Sequence, residues 1–221
     1  MAKYLFLVIV FSITGLINLQ SQNINLQAPP GYNYIYTNNF PRNIEGSPYL
    51  NDWQLSDIFL ENGKTISGIM VRYNVFTDQM LYQDKNATYV IGSPDSISEI
   101  KLSGKIFEYN QYTKDKKSEK GFFEIMVKGK VELLNKYEIE IVASNYNVAL
   151  DVGNKNDRLV IKEQLYLLHS GQIAILNKKS ILSEVFKDKF KEVSDYMSNE
   201  GLSYKKKQDM IKIVTFYNQL N

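Results

Sequence analysis

The sequence predicts a mainly β protein of the α+β class: an antiparallel meander sheet or barrel-like body followed by a C-terminal helical hairpin. Three observations carry this. Apolar and polar residues alternate through a long central stretch, Asn-Gly and other turn signals punctuate it, and the period changes to three-to-four only near the C-terminus. The expected organisation is a signal peptide over residues 1–21, an extended arm over 22–56, an antiparallel β domain over 57–177 and a helical hairpin over 178–221 packed on that domain.

The N-terminus opens with Lys3, runs through Leu5, Phe6, Leu7, Val8, Ile9, Val10 and Phe11, and then meets Ser12, Thr14, Gly15 and Asn18. A basic start, an apolar run and then small or polar residues is the secretory pattern, with Ser21 at a plausible cleavage position and Gln22 opening the mature chain. A membrane-spanning helix wants about 20 apolar residues. This run is shorter, so cleavage is expected rather than an anchor, and no cysteine follows it to carry a lipid. The expectation is an exported protein, periplasmic or extracellular, with no stable membrane insertion after cleavage.

Residues 22–56 hold four of the five prolines, Pro29, Pro30, Pro41 and Pro48. Proline fixes φ and biases its predecessor away from helix, so an extended arm is expected. Tyr32, Tyr34, Ile35, Tyr36, Phe40, Tyr49 and Trp53 are too many large apolar groups to leave in water, so parts of the arm should lie across the body.

From Asp57 the strands follow one another. Ile58–Leu60 leads through Asn62-Gly63 to a returning strand at Thr65–Tyr73, a hairpin signal. Further strands are expected at Gln79–Gln83, Thr88–Ile91, Ile97–Leu102, Lys105–Tyr109, Gly121–Val127 and Val131–Val142. In the last of these Tyr137, Ile139 and Ile141 alternate with Lys136, Glu138 and Glu140, one face apolar and the other wet. Thr113–Lys120 reads as a charged loop, and Leu159–Leu168 with Gln172–Leu176 as a hairpin turning at His169-Ser170-Gly171.

The period then switches. Leu182, Val185, Phe186, Phe190, Val193, Tyr196 and Met197 predict one amphipathic helix, with Ser180 as N-cap and Gly201 as its stop. Met210, Ile211, Val214, Tyr217 and Leu220 predict a second, whose first turn is weakened by Lys205, Lys206 and Lys207 against the helix dipole.

Composition removes whole classes of function. With no cysteine there is no thiol nucleophile, thiolate metal site or disulfide, and about 200 residues can bury roughly 70% of their unfolded surface without such staples. A net charge of +2, with no basic stripe, argues against a nucleic-acid partner. His169 is the single histidine, so a zinc site with two histidines is impossible and a Ser-His-Asp triad would have to use it. Asp151, Asn154, Asn156 and Asp157 cluster oxygen ligands, but Asn156 stands where an EF-hand loop needs glycine, so a polar turn is expected. Asp52, Asp57, Asp78, Asp95, Glu99 and Glu108 could supply a hydrolytic carboxylate pair, and nothing in their spacing selects two. Asp95-Ser96-Ile97 has the form of a bacterial O-glycosylation acceptor, and no glycine-rich phosphate loop is present. No catalytic residue, metal ligand or cofactor is assigned. Tyr49 and Trp53 are the candidate contact residues, because aromatic faces stack on sugar rings.

Gly46-Ser-Pro-Tyr-Leu50, Asn62-Gly-Lys64 before Met70-Val-Arg-Tyr-Asn74, Ala149-Leu-Asp-Val-Gly153, Lys155-Asn-Asp-Arg158, and Ile211 through Asn218 together resemble a family of uncharacterised exported proteins of Bacteroidota. The resemblance implies a bacterial envelope setting and brings no activity, cofactor or site. The expected function is a non-enzymatic exported protein with a binding or assembly role and a protein or glycan partner in the envelope. The alternatives are a glycan- or ligand-binding barrel and a hydrolase with two carboxylates.

Overall fold

The computed structural model describes residues 44–85 and 87–220. The expected signal peptide and residues 22–43 of the arm lie outside the described residues. The strands are β1 (Ile44–Glu45), β2 (Gln54–Leu60), β3 (Thr65–Asn74), β4 (Gln79–Asp84), β5 (Ala87–Val90), β6 (Ile97–Leu102), β7 (Lys105–Lys114), β8 (Lys117–Val127), β9 (Val131–Val142), β10 (Asp157–His169) and β11 (Gln172–Ile175). Three helices follow: α1 (Ser180–Val185), α2 (Phe190–Asn199) and α3 (Lys207–Gln219). The protein is mainly β with a C-terminal helical region.

All the strands share one sheet in the order β1-β10-β9-β8-β7-β6-β2-β3-β4-β5, with β11 pairing the far end of β10. Every pairing is antiparallel except β1 on β10, which is parallel. The sheet curls until β11 comes near β7, yet these two do not hydrogen-bond, so the body is an open sheet rather than a closed barrel. The strand β2 begins at Gln54, so the expected start of the β domain at residue 57 falls inside a strand.

The curl creates two β cores and a third under the helices. Ile58, Val71, Tyr73, Met80, Ile100, Phe107 and Phe122 fill the first. Tyr112, Phe123, Ile125, Leu134 and Tyr166 fill the second, inside the curve of β7–β11. Val131, Leu133, Leu167 and Leu176 meet Leu182, Phe186, Val193, Met210, Ile213, Val214 and Tyr217 in the third, so the helices bury their apolar stripes on the sheet. Asn218 fastens this layer: its Oδ1 accepts from the Val131 N–H at 2.9 Å and its Nδ2 donates to the Val131 carbonyl at 2.8 Å.

The strands β8 and β9 pair only where Glu124–Val127 faces Leu133–Asn135, and then part. Lys136 lies in the split with its ammonium 2.7 Å from Asp78 on the β3–β4 turn, and Tyr73 donates its hydroxyl to the same carboxylate. Gly121 makes this possible, since a β-carbon there would collide with both Asp78 and Lys136.

Three expectations are corrected. Thr113–Lys120 is not a loop: β7 and β8 pair to their tips, Lys114 opposite Lys117, around Asp115-Lys116 with φ of 49° and 65°. The ribbon is wet, and polar pairs such as Tyr112 with Glu119 at 2.9 Å stand where apolar alternation would have revealed it. The single helix expected from Leu182 to Met197 is broken at Phe186–Lys189. There Phe186 is fully buried against Tyr217, with ring centroids 4.5 Å apart, and Asp188 takes Lys130 at 2.6 Å and the Tyr217 hydroxyl at 3.0 Å. These contacts replace a continuous helical ladder. Ser180 is the first helical residue rather than the cap, which is Lys179. Gly201 does stop α2: with φ of 64° it lets the Leu202 N–H reach the Met197 carbonyl at 2.8 Å, closing a Schellman turn.

Candidate functional site

The connection from β9 to β10, residues 143–156, carries the least expected surface of the molecule. Val148, Leu150 and Val152 are exposed by 81%, 69% and 55%, and Ile141 at the end of β9 joins them at 50%. A loop with such side chains would normally fold them inward, because burying a valine or leucine is worth about 1.5–3 kcal/mol. Here the backbone beneath is organised by its own polar groups. The Asn147 N–H donates to the Val152 carbonyl at 2.8 Å, and Asn147 Oδ1 accepts from the N–H groups of Ala149 and Leu150 at 3.0 and 3.2 Å. Asn145 Oδ1 accepts from the Asn154 N–H at 2.8 Å, Ser144 Oγ donates to the Asn154 carbonyl at 2.8 Å, and Asp157 accepts from the Ser144 N–H at 2.8 Å. Gly153, with φ of 96°, passes so close to the Asn145 carbonyl that any side chain would collide with it.

The loop is thus held by hydrogen bonds among its own exposed polar groups, and Val148, Leu150 and Val152 stand exposed beside them. Asp151 accepts from the Tyr146 hydroxyl and pairs with Lys155 at 3.6 Å, and Lys155 lies 4.7 Å over the Tyr146 ring. Asp151 and Asp157, two of the four oxygen-bearing residues that the sequence grouped as a cation-loop candidate, already accept from protein donors. Among the described residues no group of three or more His, Asp and Glu is arranged to hold a metal ion. The loop is also tied to β1, since Asn156 Nδ2 donates to Glu45 at 2.8 Å.

A second polar cluster lies inside the fold. Glu124 is 7% exposed and Asn135 fully buried, and the Glu124 carboxylate accepts from Lys105, from the Tyr137 hydroxyl at 2.6 Å and from Asn135 Nδ2 at 3.1 Å. Burial alone would raise the Glu124 pKa, but these donors outweigh it and hold the carboxyl below its ordinary value. Burial, then Glu124 itself, pushes the Tyr137 phenol well up. The carboxylate is saturated with donors and is therefore a structural anion rather than a free base.

Of the carboxylates nominated from sequence, two are brought to one shared lysine and two hold separate lysines. Asp78 holds Lys136, Asp95 holds Lys120 at 2.6 Å, and Glu99 and Glu108 share Lys128 at 3.3 and 2.9 Å. Glu132, which no sequence pattern singles out, has its pKa pushed up by burial and then by Glu108, and its Oε2 is buried without a hydrogen-bond partner. None of Glu99, Glu108 or Glu132 lines the three surface cavities described, of about 310, 420 and 380 Å³, which open at Leu55–Lys101, Tyr112–Gln172 and Glu163–Lys205. His169 ends β10 with Nδ1 3.3 Å from the Lys130 carbonyl, beside the Ser170-Gly171 turn. Ser96 is exposed in a 3-10 turn and donates to the Ser93 carbonyl at 2.7 Å.

Tyr49 and Trp53 are brought together. The Arg72 guanidinium lies 3.4 Å from the Tyr49 ring centroid and 4.4 Å from that of Trp53, so one cation engages both rings. Backbone bonds from Leu50 N–H to the Tyr73 carbonyl at 3.1 Å and from Val75 N–H to the Pro48 carbonyl at 2.8 Å seat this segment on the end of β3. The rings thus tie residues 48–53 to the sheet.

The apolar loop was missed because residues 143–156 read as irregular. The signal was present: Val148, Leu150 and Val152 alternate with Asn147, Ala149 and Asp151 at period two, as in a strand with no partner. No family model matches the chain, and no curated protein or solved structure shows significant similarity to it.

Proposed function

We propose that this is an exported, non-enzymatic envelope protein that binds a protein partner through the loop 143–156, in a binding or assembly role. The observation that carries the reading is the outward display of Val148, Leu150 and Val152 on a loop whose backbone is hydrogen-bonded by its own side chains. Apolar side chains held clear of the core by a pre-organised backbone are the usual form of an interaction site, since little ordering entropy remains to be lost on docking. The secretory pattern of residues 1–21 and the resemblance to exported proteins of Bacteroidota support the envelope setting. Aromatic side chains fill the curve of β7–β11, which favours this reading over a ligand held inside a barrel. Arg72 against both Tyr49 and Trp53 favours it over sugar stacking at those rings.

The test is a photo-reactive residue at Val148 in the full chain, expressed in its own cell envelope, beside the same residue at Lys162 on β10. A discrete cross-linked partner from position 148 only is expected. Its isolated affinity should fall at least tenfold with Val148→Asp plus Leu150→Asp, while melting stays unchanged. Equal affinity for the doubly substituted chain would exclude the loop as the docking element.

A further inference from the structure

We infer that the outer edge of β10 is a second docking site, which takes a short extended segment of another protein as an added strand. This site is distinct from the loop 143–156 and does not depend on it.

The register defines the edge. On one side β10 pairs with β9 from Arg158 to His169 without a break. On the other side β1 meets only Asp157 and Arg158, and β11 only Tyr166 to His169. Between them no described strand covers residues 159–164, a gap of about 20 Å at about 3.3 Å per residue. The Leu176 N–H donates to the Leu165 carbonyl at 2.9 Å on this side. Backbone groups of alternate residues point to the same edge, so the N–H and C=O of Ile161 and Glu163 point there too. Gly46, whose β-carbon would come within 3.0 Å of the Leu159 carbonyl, closes one end of the gap, and Leu176 closes the other.

Free edges are normally blunted by proline, a bulge or outward-reaching charges. Residues 159–165 contain no proline, and their register on β9 has no shift. Lys162 turns back to Glu140 on β9 at 3.2 Å, and Glu163 is held by Lys207 of α3 at 2.6 Å. The β10 strand of a second copy does not fit, because its own β1 and β11 bound the same gap and would collide with β11 and β1 of the first. A segment free at both ends does fit, which is how extended peptides add to a sheet.

The surroundings set its chemistry. At the Leu165 end, the cavity of about 380 Å³ presents Leu165, Leu176 and Tyr204 to an apolar side chain. Lys205 also lines it. Lys178 and Lys179, just past Leu176, and Lys205 and Lys206 are exposed with no carboxylate partner among the described residues. The segment that fits alternates in polarity, places an apolar residue beside Leu165 and carries aspartate or glutamate next to it.

The test is selection from a displayed library of random short peptides on the full chain. Proline-poor sequences with alternate apolar positions and an acidic end are expected. Their affinity should fall about tenfold on Lys205→Glu plus Lys206→Glu, two exposed changes that spare the core. In the free chain the Ile161 and Glu163 amides should exchange quickly with solvent, and the selected peptide should slow both. Protection of these amides before peptide is added would overturn the inference by assigning the edge to the chain itself or to a second copy. A selection without that pattern, equal affinity for the lysine variant, or protection only elsewhere would overturn it too. Selection on the chain with Val148→Asp plus Leu150→Asp should be unaffected, so failure of the loop leaves the edge standing, and the reverse.

Discussion

Replacing Glu124 by glutamine tests the buried polar cluster, and the size of the effect can be worked from its geometry. The side chain keeps its shape and one oxygen, which can still accept from Tyr137 and Asn135 at the Oε2 position. The new amide group then points its donors at the Lys105 ammonium, where Glu124 Oε1 now accepts. The loss is one charge-assisted hydrogen bond, worth about 1.5–3 kcal/mol, with a buried donor–donor contact added. Removing one partner of a fully buried pair costs about 3–5 kcal/mol. The Lys105 side chain is 35% exposed and can regain water, so the lower range applies. The expected cost is about 2–3 kcal/mol, a melting point lowered by roughly 4–12 °C for a chain of this size. Glu138→Gln is the control, because its 2.7 Å pair with Lys114 is 35–40% exposed on both sides and should be worth less than about 1 kcal/mol.

The pH dependence of that difference fixes its origin. The Glu124 carboxyl is held below its ordinary value in the folded protein. Its contribution is therefore fully present above the ordinary carboxylate range and is lost as pH falls through the folded-state value. The melting gap between the native chain and Glu124→Gln should be widest near neutrality and close on acidification. Calorimetric scans from neutral to acid pH would decide it. Equal melting points at pH 7, or a gap that stays constant into acid, would refute the reasoning.

Other substitutions probe the remaining joints. Asn218→Ala removes both hydrogen bonds to the Val131 backbone and should cost about 2 kcal/mol, read as a lowered denaturation midpoint with an unchanged slope. Val193→Asp places a charge where the side chain is fully buried under the helices and should cost about 3–5 kcal/mol, with loss of helical circular dichroism before strand signal. Gly121→Ala must push apart Asp78 and Lys136 and should cost about 1–3 kcal/mol, whereas Gly171→Ala, with open space around it, should cost only the strain of its φ of 74°. Leu150→Ser should leave stability within about 0.5 kcal/mol, since that side chain supports no core.

Local order was legible in the sequence because its causes are local. Asn62-Gly63 announced a hairpin, and Gly63 indeed takes φ of 80° while Asn62 Oδ1 accepts from the Lys64 N–H at 3.1 Å. Alternation marked the position of β9, but not its faces: Lys136, expected on the wet face, is buried, and Ile141, expected on the apolar face, is 50% exposed. The three-to-four spacing marked the helical stripes that close on Leu133 and Leu167. Tyr49 and Trp53 could be nominated as aromatic side chains, but nothing nearby in sequence announced Arg72, some twenty residues away, as the cation they share.

What the sequence by itself determined was the mainly β class, most strand positions, the Gly201 stop and the exclusion of thiol chemistry, all properties of a few neighbouring residues. The tertiary structure decided the rest. The break at Phe186–Lys189 depends on Lys130 and Tyr217, each more than twenty-five residues away. The split between β8 and β9 depends on Asp78, and the parallel seat of β1 depends on a strand 113 residues later in the chain. The outward turn of Val148, Leu150 and Val152 has the same character. Their alternation is written in the sequence, but exposure is a property of what fails to pack against them, and that is settled only when the whole sheet has closed around other partners.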